Sequence, residues 1–389
     1  RALAALKDLL KNSRVVSVRQ QVAGILGSAP EEALQELADT ARNDTDAGVR
    51  AVAIESLSHA PASESLMAIL ADLQRNAEDA AVRSAALTAE MQMRVAAPEQ
   101  WLTVDYLSRM LAQREDDATA QLQMLLVQEK KGLPALIKVL ETAPDPVARA
   151  AAACSISLIC AGTNPRQQEF ARLALTVKKE SIPEPGPANL EGLKPLERAL
   201  ARDPSPEVRA MAAQGLGYLG QESSAPLLGK ALHDPSEEVR WWAALALITV
   251  PAEAALKDLS HAAGKDPSAR VREAAVRALG WIKGEAPLRP LVRATADMHA
   301  SVRQAAATEL GRFRQEIARD ALIALFEDPS EDVRWAAVLA VGEMRDREAA
   351  PALVKALRDP SPMVSNAAER ALQRMGIGER RFGTREEET

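Results

Sequence analysis

A seven-residue phrase returns through this chain at a nearly fixed interval. Asp203-Pro204-Ser205-Pro206-Glu207-Val208-Arg209 comes back at Asp234 to Arg240, at Asp266 to Arg272, at Asp328 to Arg334, and in a last copy from Asp359 to Val364. Its Val-Arg pairs begin at Val208, Val239, Val271, Val302 and Val333, in steps of 31, 32, 31 and 31 residues. A period of this length marks a stack of structural repeats. Each repeat in such a stack buries its apolar face only against its neighbours, so 389 residues need not divide into several globular domains.

Weaker copies lie upstream. Val18-Arg19, Val49-Arg50 and Val82-Arg83 are spaced 31 and 33 apart, and Asp145-Pro146-Val147-Ala148-Arg149 puts Ala148 in the valine slot. A degenerate copy is expected near Asp116 to Ala120, which brings the count to about eleven repeats. Each repeat reads as two helices. Ala225 to His233 shows helical apolar spacing, and Asp-Pro then breaks it, because the residue before proline is driven out of the helical region. The second helix is predicted from about Ser236 to Thr249, with proline tolerated inside its first turn and Asp234 expected to cap it. Val239, Ala243, Ala244, Leu247 and Val250 form one buried stripe. Glycine recurs near the end of this helix, at Gly217, Gly280, Gly311 and Gly342, where it reads as a terminator. The fold class is therefore all-α, a right-handed α-solenoid.

Aromatic residues make up only 3% of the chain, so Ala, Leu, Val and Ile must fill the core. Cys154 and Cys160 stand six apart, about 240° round a helix and roughly 9 Å along it, and cannot bridge each other. They read as buried thiols. The longest apolar run, Ala150 to Cys160, is too short to span a bilayer. The chain starts at Arg1 without Met, which reads as a missing start, and the reduced cysteines favour a cytoplasmic setting.

The expected organisation is 1–162 for the degenerate repeats, 163–191 for an insertion, 192–376 for the regular repeats and 377–389 for a polar tail. The insertion follows from a gap of 60 residues between Ala148 and Val208. Within it, Arg166 to Lys179 has helical character, and Pro183, Pro185, Gly186 and Pro187 mark a stiff loop.

The phrase Asp-Pro-x-x-x-Val-Arg, followed by Ala-Ala and Leu-Gly, resembles HEAT repeats, especially the short type of the phycobilin-lyase-related group. The resemblance is strong over about residues 192–375 and weak over 1–161. It implies stacked polar ladders between repeats, built here from Asp203, Asp234, Asp266 and Asp328 with Arg209, Arg240, Arg272, Arg303 and Arg334. It also implies that the second helices line the concave face. It does not select a function, because that family includes scaffolds, carriers and some enzymes.

Catalytic signatures fail one by one. Gly215-Leu216-Gly217-Tyr218-Leu219-Gly220 fits the dinucleotide pattern in letters only, since it follows an alanine-rich helix instead of a strand. His59, His233, His261 and His299 have no second His or Cys at ligand spacing, and the His-Glu pairs of HEAT-like iron hydroxylases do not occur. No catalytic residue, metal ligand or cofactor is therefore assigned.

The aromatic residues carry the functional reading. Eight of eleven lie after residue 191, namely Tyr218, Trp241, Trp242, Trp281, Phe313, Phe326, Trp335 and Phe382. Trp241 and Trp335 directly follow the repeat arginine, Trp242 takes the next slot, and Tyr218 and Trp281 stand nine after theirs. Trp241 and Trp242 lie about 100° apart on a helix, so at most one of them sits fully in the core. These slots face the groove, and Arg277 and Arg312 lie on the same side. Trp, Tyr and Arg dominate binding hot spots.

Charge points the same way. Residues 1–191 hold 20 basic and 25 acidic side chains, whereas 192–389 hold 28 and 29, so the aromatic half is near neutral within a chain of net charge −6. A generic phosphate-backbone binder is expected to be basic. The sequence thus reads as a non-catalytic scaffold for a protein or peptide, with Tyr218, Trp241, Trp242, Trp281 and Trp335 as anchors and Arg277 and Arg312 as polar partners, in a multi-subunit complex or alone. A bilin-lyase-like chromophore carrier and a nucleic-acid binder are the alternatives.

Overall fold

The computed structural model describes residues 2–28, 33–60, 62–112, 122, 126, 132–161, 189–250 and 252–377, which are helical and free of strands. The copy expected near Asp116, most of the insertion and most of the tail lie outside them. The chain divides into two compact units, Arg1–Ile159 and Cys160–Thr389.

The second unit holds six helical hairpins. Their first helices are Leu193–Arg202, Ala225–Ala231, Leu256–Lys265, Leu288–Ala294, Glu316–Ala324 and Ala350–Ala356. Their second helices are Pro206–Leu219, Glu237–Thr249, Ala269–Leu279, Ala300–Leu310, Glu331–Met344 and Pro362–Arg374. Successive second helices pack closely on one another, whereas successive first helices touch at fewer points. The second-helix side is therefore the inner, concave side of this stack. The valine of each phrase anchors the hairpin. Val208, Val239, Val271, Val302 and Val333 are all fully buried, each stabilising by about 1.5–3 kcal/mol.

Asp203, Asp266 and Asp328 end their helices in extended backbone, as a residue before proline must. They are not the caps of the second helices. That position belongs to Ser205, Ser268 and Ser330, whose side chains make no cap bond. Instead each aspartate accepts the backbone N–H two residues on, at 2.9 Å in Ser205, Ser236, Ser268 and Ser330. Such a turn leaves the carboxylate free to face the preceding repeat.

A continuous ladder results. Arg209 donates through Nε and Nη2 to both oxygens of Asp234, and Arg240 does the same to Asp266, Arg272 to Asp297, Arg303 to Asp328 and Arg334 to Asp359. The remaining Nη1 of each donates to the carbonyl six residues earlier, at 2.9–3.0 Å. Planar two-point pairing of this kind holds geometry as well as charge. Asp297 joins the ladder although Met298 follows it in place of proline, which hid it in the sequence.

The first unit keeps the hairpins but not the ladder. Its hairpins pair Ala2–Asn12 with Val16–Leu26, Leu34–Asn43 with Ala47–Ser58, Glu64–Asn76 with Ala80–Ala96, and Leu133–Thr142 with Pro146–Cys160, whose last residue starts the second unit; Val104–Leu111 packs against Leu133–Thr142. Arg19 grips Asp44 at 2.7 and 2.9 Å. Arg50 reaches Asp79 instead, at 2.6 Å, because Ala77 fills the ladder slot. Asp145 also stands two residues late. Arg149 donates to the carbonyls of Ala143 and Pro144, so Ala143 is the ladder slot and Asp145 marks the helix start.

Two of the recurring glycines close their helices as expected and two do not. Gly280 and Gly311 directly follow the last helical residue, with right-handed backbone, whereas Gly217 and Gly342 lie inside their helices. Their role is close approach. A Cβ on Gly311 would come 3.0 Å from that of Ala340, and one on Gly342 would come 2.9 Å from that of Ala371. The second is shorter than close-packed side chains show, and the first is at the tight edge of what they tolerate.

Candidate partner-binding surface

Residues four apart share a helix face. Counting from each repeat arginine, the slots one and five later lie on the second helix, and slot nine continues the row, inside Glu331–Met344 but in the turn just past Ala269–Leu279 and Ala300–Leu310. In three consecutive repeats the row reads Glu273, Arg277, Trp281, then Gln304, Thr308, Arg312, then Trp335, Leu339, Glu343. Thr308, Arg312 and Glu343 are exposed, and the other six are half-buried. The surface is mixed, with two indoles, one aliphatic side chain and both signs of charge.

Several candidates are brought together here. The Arg312 guanidinium lies 4.2 Å from the centre of the Trp281 ring on the neighbouring repeat, in cation–π geometry. Its Nε is 2.8 Å from Glu309, whose side chain is only 5% exposed. Glu309 occupies a slot filled by Gly215, Ala246, Ala278, Ala340 and Ala371 in the other five repeats, and it packs against Gly280 of the preceding one. A carboxylate in a column of small residues was the available sequence signal, and spacing arguments built on aromatics passed over it. Arg277 is held by Glu273 at 2.8 Å. Trp241 is half-buried, with Arg270 stacked 3.4 Å from its ring centre and bonded at 3.0 Å to Glu238.

Two expected anchors are not available. Trp242 is 2% exposed and Tyr218 is 7% exposed. The slot of Trp242 is held by Met211 in the first repeat and by Ala274, Ala305, Ala336 and Ala367 in the later ones, one turn before the slot that meets the preceding repeat. Trp242 therefore wedges between repeats, with its ring edge-on to Trp241 at 4.5 Å. Tyr218 shares the slot of Trp281, yet its helix is buried on every side from Ala212 to Leu219. The equivalent row in the next repeat, Leu245 and Thr249, is buried as well. The accessible part of the row thus begins at Glu273, apart from Trp241.

The glycine motif at Gly215 to Gly220 lies in this same helix and closes it, with Gly220 left-handed at φ 63°. Among the described residues no group of three or more His, Cys, Asp or Glu side chains is placed to hold a metal ion. Burial pushes the Cys160 thiol up to about 11 despite a backbone hydrogen bond with Gly192. No described helix is long and apolar enough to cross a membrane.

Residues 193–280 and 287–373 match the family profile of HEAT repeats. Over these residues the chain is a stack of HEAT repeats. No curated protein matches it in sequence. Among solved structures, this HEAT-repeat chain is similar to Kap121p bound to Pho4p, at 17% identity over 97% of this chain and 46% of that one, with a TM-score of 0.56. It is similar also to Kap95p in a structure with RanGDP, at 13% identity over 96% and 55%, with a TM-score of 0.52. An engineered protein matches at 19% identity over 96% and 99%, with a TM-score of 0.46. The HEAT-repeat chain spans about half the length of the first two. At these identities the likeness establishes an α-solenoid.

Proposed function

We propose that this HEAT-repeat protein is a non-catalytic scaffold that holds a protein or peptide partner on the concave face of its C-terminal repeats. The observation that carries the reading is the half-exposed pair Trp335 and Leu339 beside the Trp281–Arg312 couple. It is an apolar and aromatic strip with polar edges on adjacent second helices and the turns that follow them. Indoles lose little side-chain entropy on binding and bury large areas, and arginine adds directional bonds, so such a strip favours peptide capture over loose charge attraction. Trp241, Trp281 and Trp335 are the anchors, and Arg277 and Arg312 are the polar partners. The solved relatives support the reading to a limited degree, since Kap121p was crystallised with a protein, Pho4p.

Affinity capture followed by mass spectrometry, run in parallel on the wild type and on Trp241→Ala with Trp335→Ala, tests it. The variant should keep its helical circular dichroism and lose the captured partner by about tenfold or more. An unchanged set of captured proteins on the folded variant would refute the assignment.

A further inference from the structure

The first-helix side of the second unit carries a cleft of about 820 Å³ between Leu256–Lys265 and Leu288–Ala294. Its floor is the ladder step made by Asp266, Arg272 and Asp297, and its rim includes His261, Lys265 and Arg293. Both acids of the floor are committed, Asp266 to Arg240 and Asp297 to Arg272. Lys265 and Arg293 are exposed and have no acidic partner among the described residues. The walls between them are small or apolar, with Ala263, Pro290 and Met298, the last 84% exposed.

Repeat register explains why the cations are left over. In the preceding interval the residue just before the ladder aspartate is His233, and it stands 2.9 Å from Asp258 across the gap. One repeat later the same two slots hold Lys265 and Arg289. A pairing of opposite character has become one of like charge, with Arg293 one turn further along the same helix. The chain as a whole carries −6, so this is a local reversal of sign. Clustered like charge beside a concavity raises the local concentration of the opposite charge.

We propose that this cleft is a second binding site, which takes an acidic peptide segment whose carboxylates meet Lys265 and Arg293 while its neighbouring side chains rest on Pro290 and Met298. The site lies on the side opposite the concave row and stands independently of the reading above. Its size and apolar walls suit a peptide better than a free inorganic anion.

Fluorescence anisotropy with a labelled glutamate-rich peptide, and with the same peptide carrying glutamine at every glutamate, tests the assignment. The wild type should bind the glutamate form at least about tenfold more tightly, and added salt should weaken it. Lys265→Glu with Arg293→Glu should reduce that affinity by about tenfold or more, and Lys265→Ala with Arg293→Ala by less. Arg358→Glu, an exposed cation in the last repeat, should change nothing. Equal binding of the two peptides, or a charge-reversed variant that binds as the wild type does, would overturn the site. Displacement by inorganic phosphate at the peptide's own concentration would overturn the peptide assignment and leave only a small-anion site.

Discussion

The two units differ most in how neighbouring repeats are tied. In the C-terminal unit five consecutive arginines each grip the aspartate of the next repeat with two bonds. Among the described pairs of the N-terminal unit, Arg19 and Asp44 do so. Arg50 uses the displaced Asp79, and Ala77 and Ala143 occupy ladder slots. The hairpins survive in both units. The ladder is thus not what makes a repeat fold; apolar stripes and the interhelix turn do that. What it adds is registry between repeats, and the stack tolerates its loss where apolar packing is sufficient, as in the continuous core from Leu10 to Met93.

Removing a central ladder acid should have the largest effect. Asp328 takes both oxygens' worth of Arg303 and is 8% exposed, so Asp328→Ala should destabilise the C-terminal unit by about 3 kcal/mol. Hydrogen exchange should localise that loss to the helices on either side, because an array of repeats can open in part. The matching change in the other unit, Asp79→Ala, removes a half-buried pair held by one bond and a helix cap, and should cost clearly less. Equal losses would mean that the two ladders are equivalent.

The next contrast is steric. Gly342→Leu should destabilise by about 2 kcal/mol, because its Cβ already meets Ala371. Gly24→Ala, in a second helix of the N-terminal unit with nothing within 4 Å, should instead stabilise by about 0.5–1 kcal/mol through helix propensity. Thermal melts of both variants read the two signs.

The smallest expected effect is in acid. Burial alone would raise Asp297 and Asp328, but Arg272 and Arg303 and the backbone N–H groups of His299 and Ser330 outweigh it and hold both carboxyls below their ordinary value. Asp359 is held low first by Arg334. A group whose folded value is depressed stabilises fully above its unfolded value, near about 4, and loses that contribution as pH falls through the depressed one. Stability of the C-terminal unit should therefore be flat above about pH 5 and fall below about pH 4. In Asp328→Ala the acid limb should be shallower, and an unaltered limb would remove the ladder as its origin.

Much of the architecture was legible. The Asp-Pro breaks, the buried valines and the repeat period all act within one hairpin or between adjacent ones, so letters at fixed spacing record them. The candidate surface was legible only in part. Trp241, Trp281, Trp335, Arg277 and Arg312 lie on the expected row, but Tyr218 and Trp242 are buried, and Glu309 was missed. Asp297 and the shifted register at Asp145 were missed for a related reason, since the copy departs in letters while the backbone keeps the turn.

By itself, then, the sequence determined that this chain is an all-helical stack, where each hairpin turns, and which valines hold it. Those features depend on local backbone preference and on burial at helical spacing. Only the tertiary structure decided which of two adjacent tryptophans enters the stack, why glycine recurs near the end of the second helix, and where cations with no acidic partner among the described residues flank a cleft. Each of these depends on how one helix is rotated against its counterpart in the next repeat, and that rotation is set by packing, not by any single repeat.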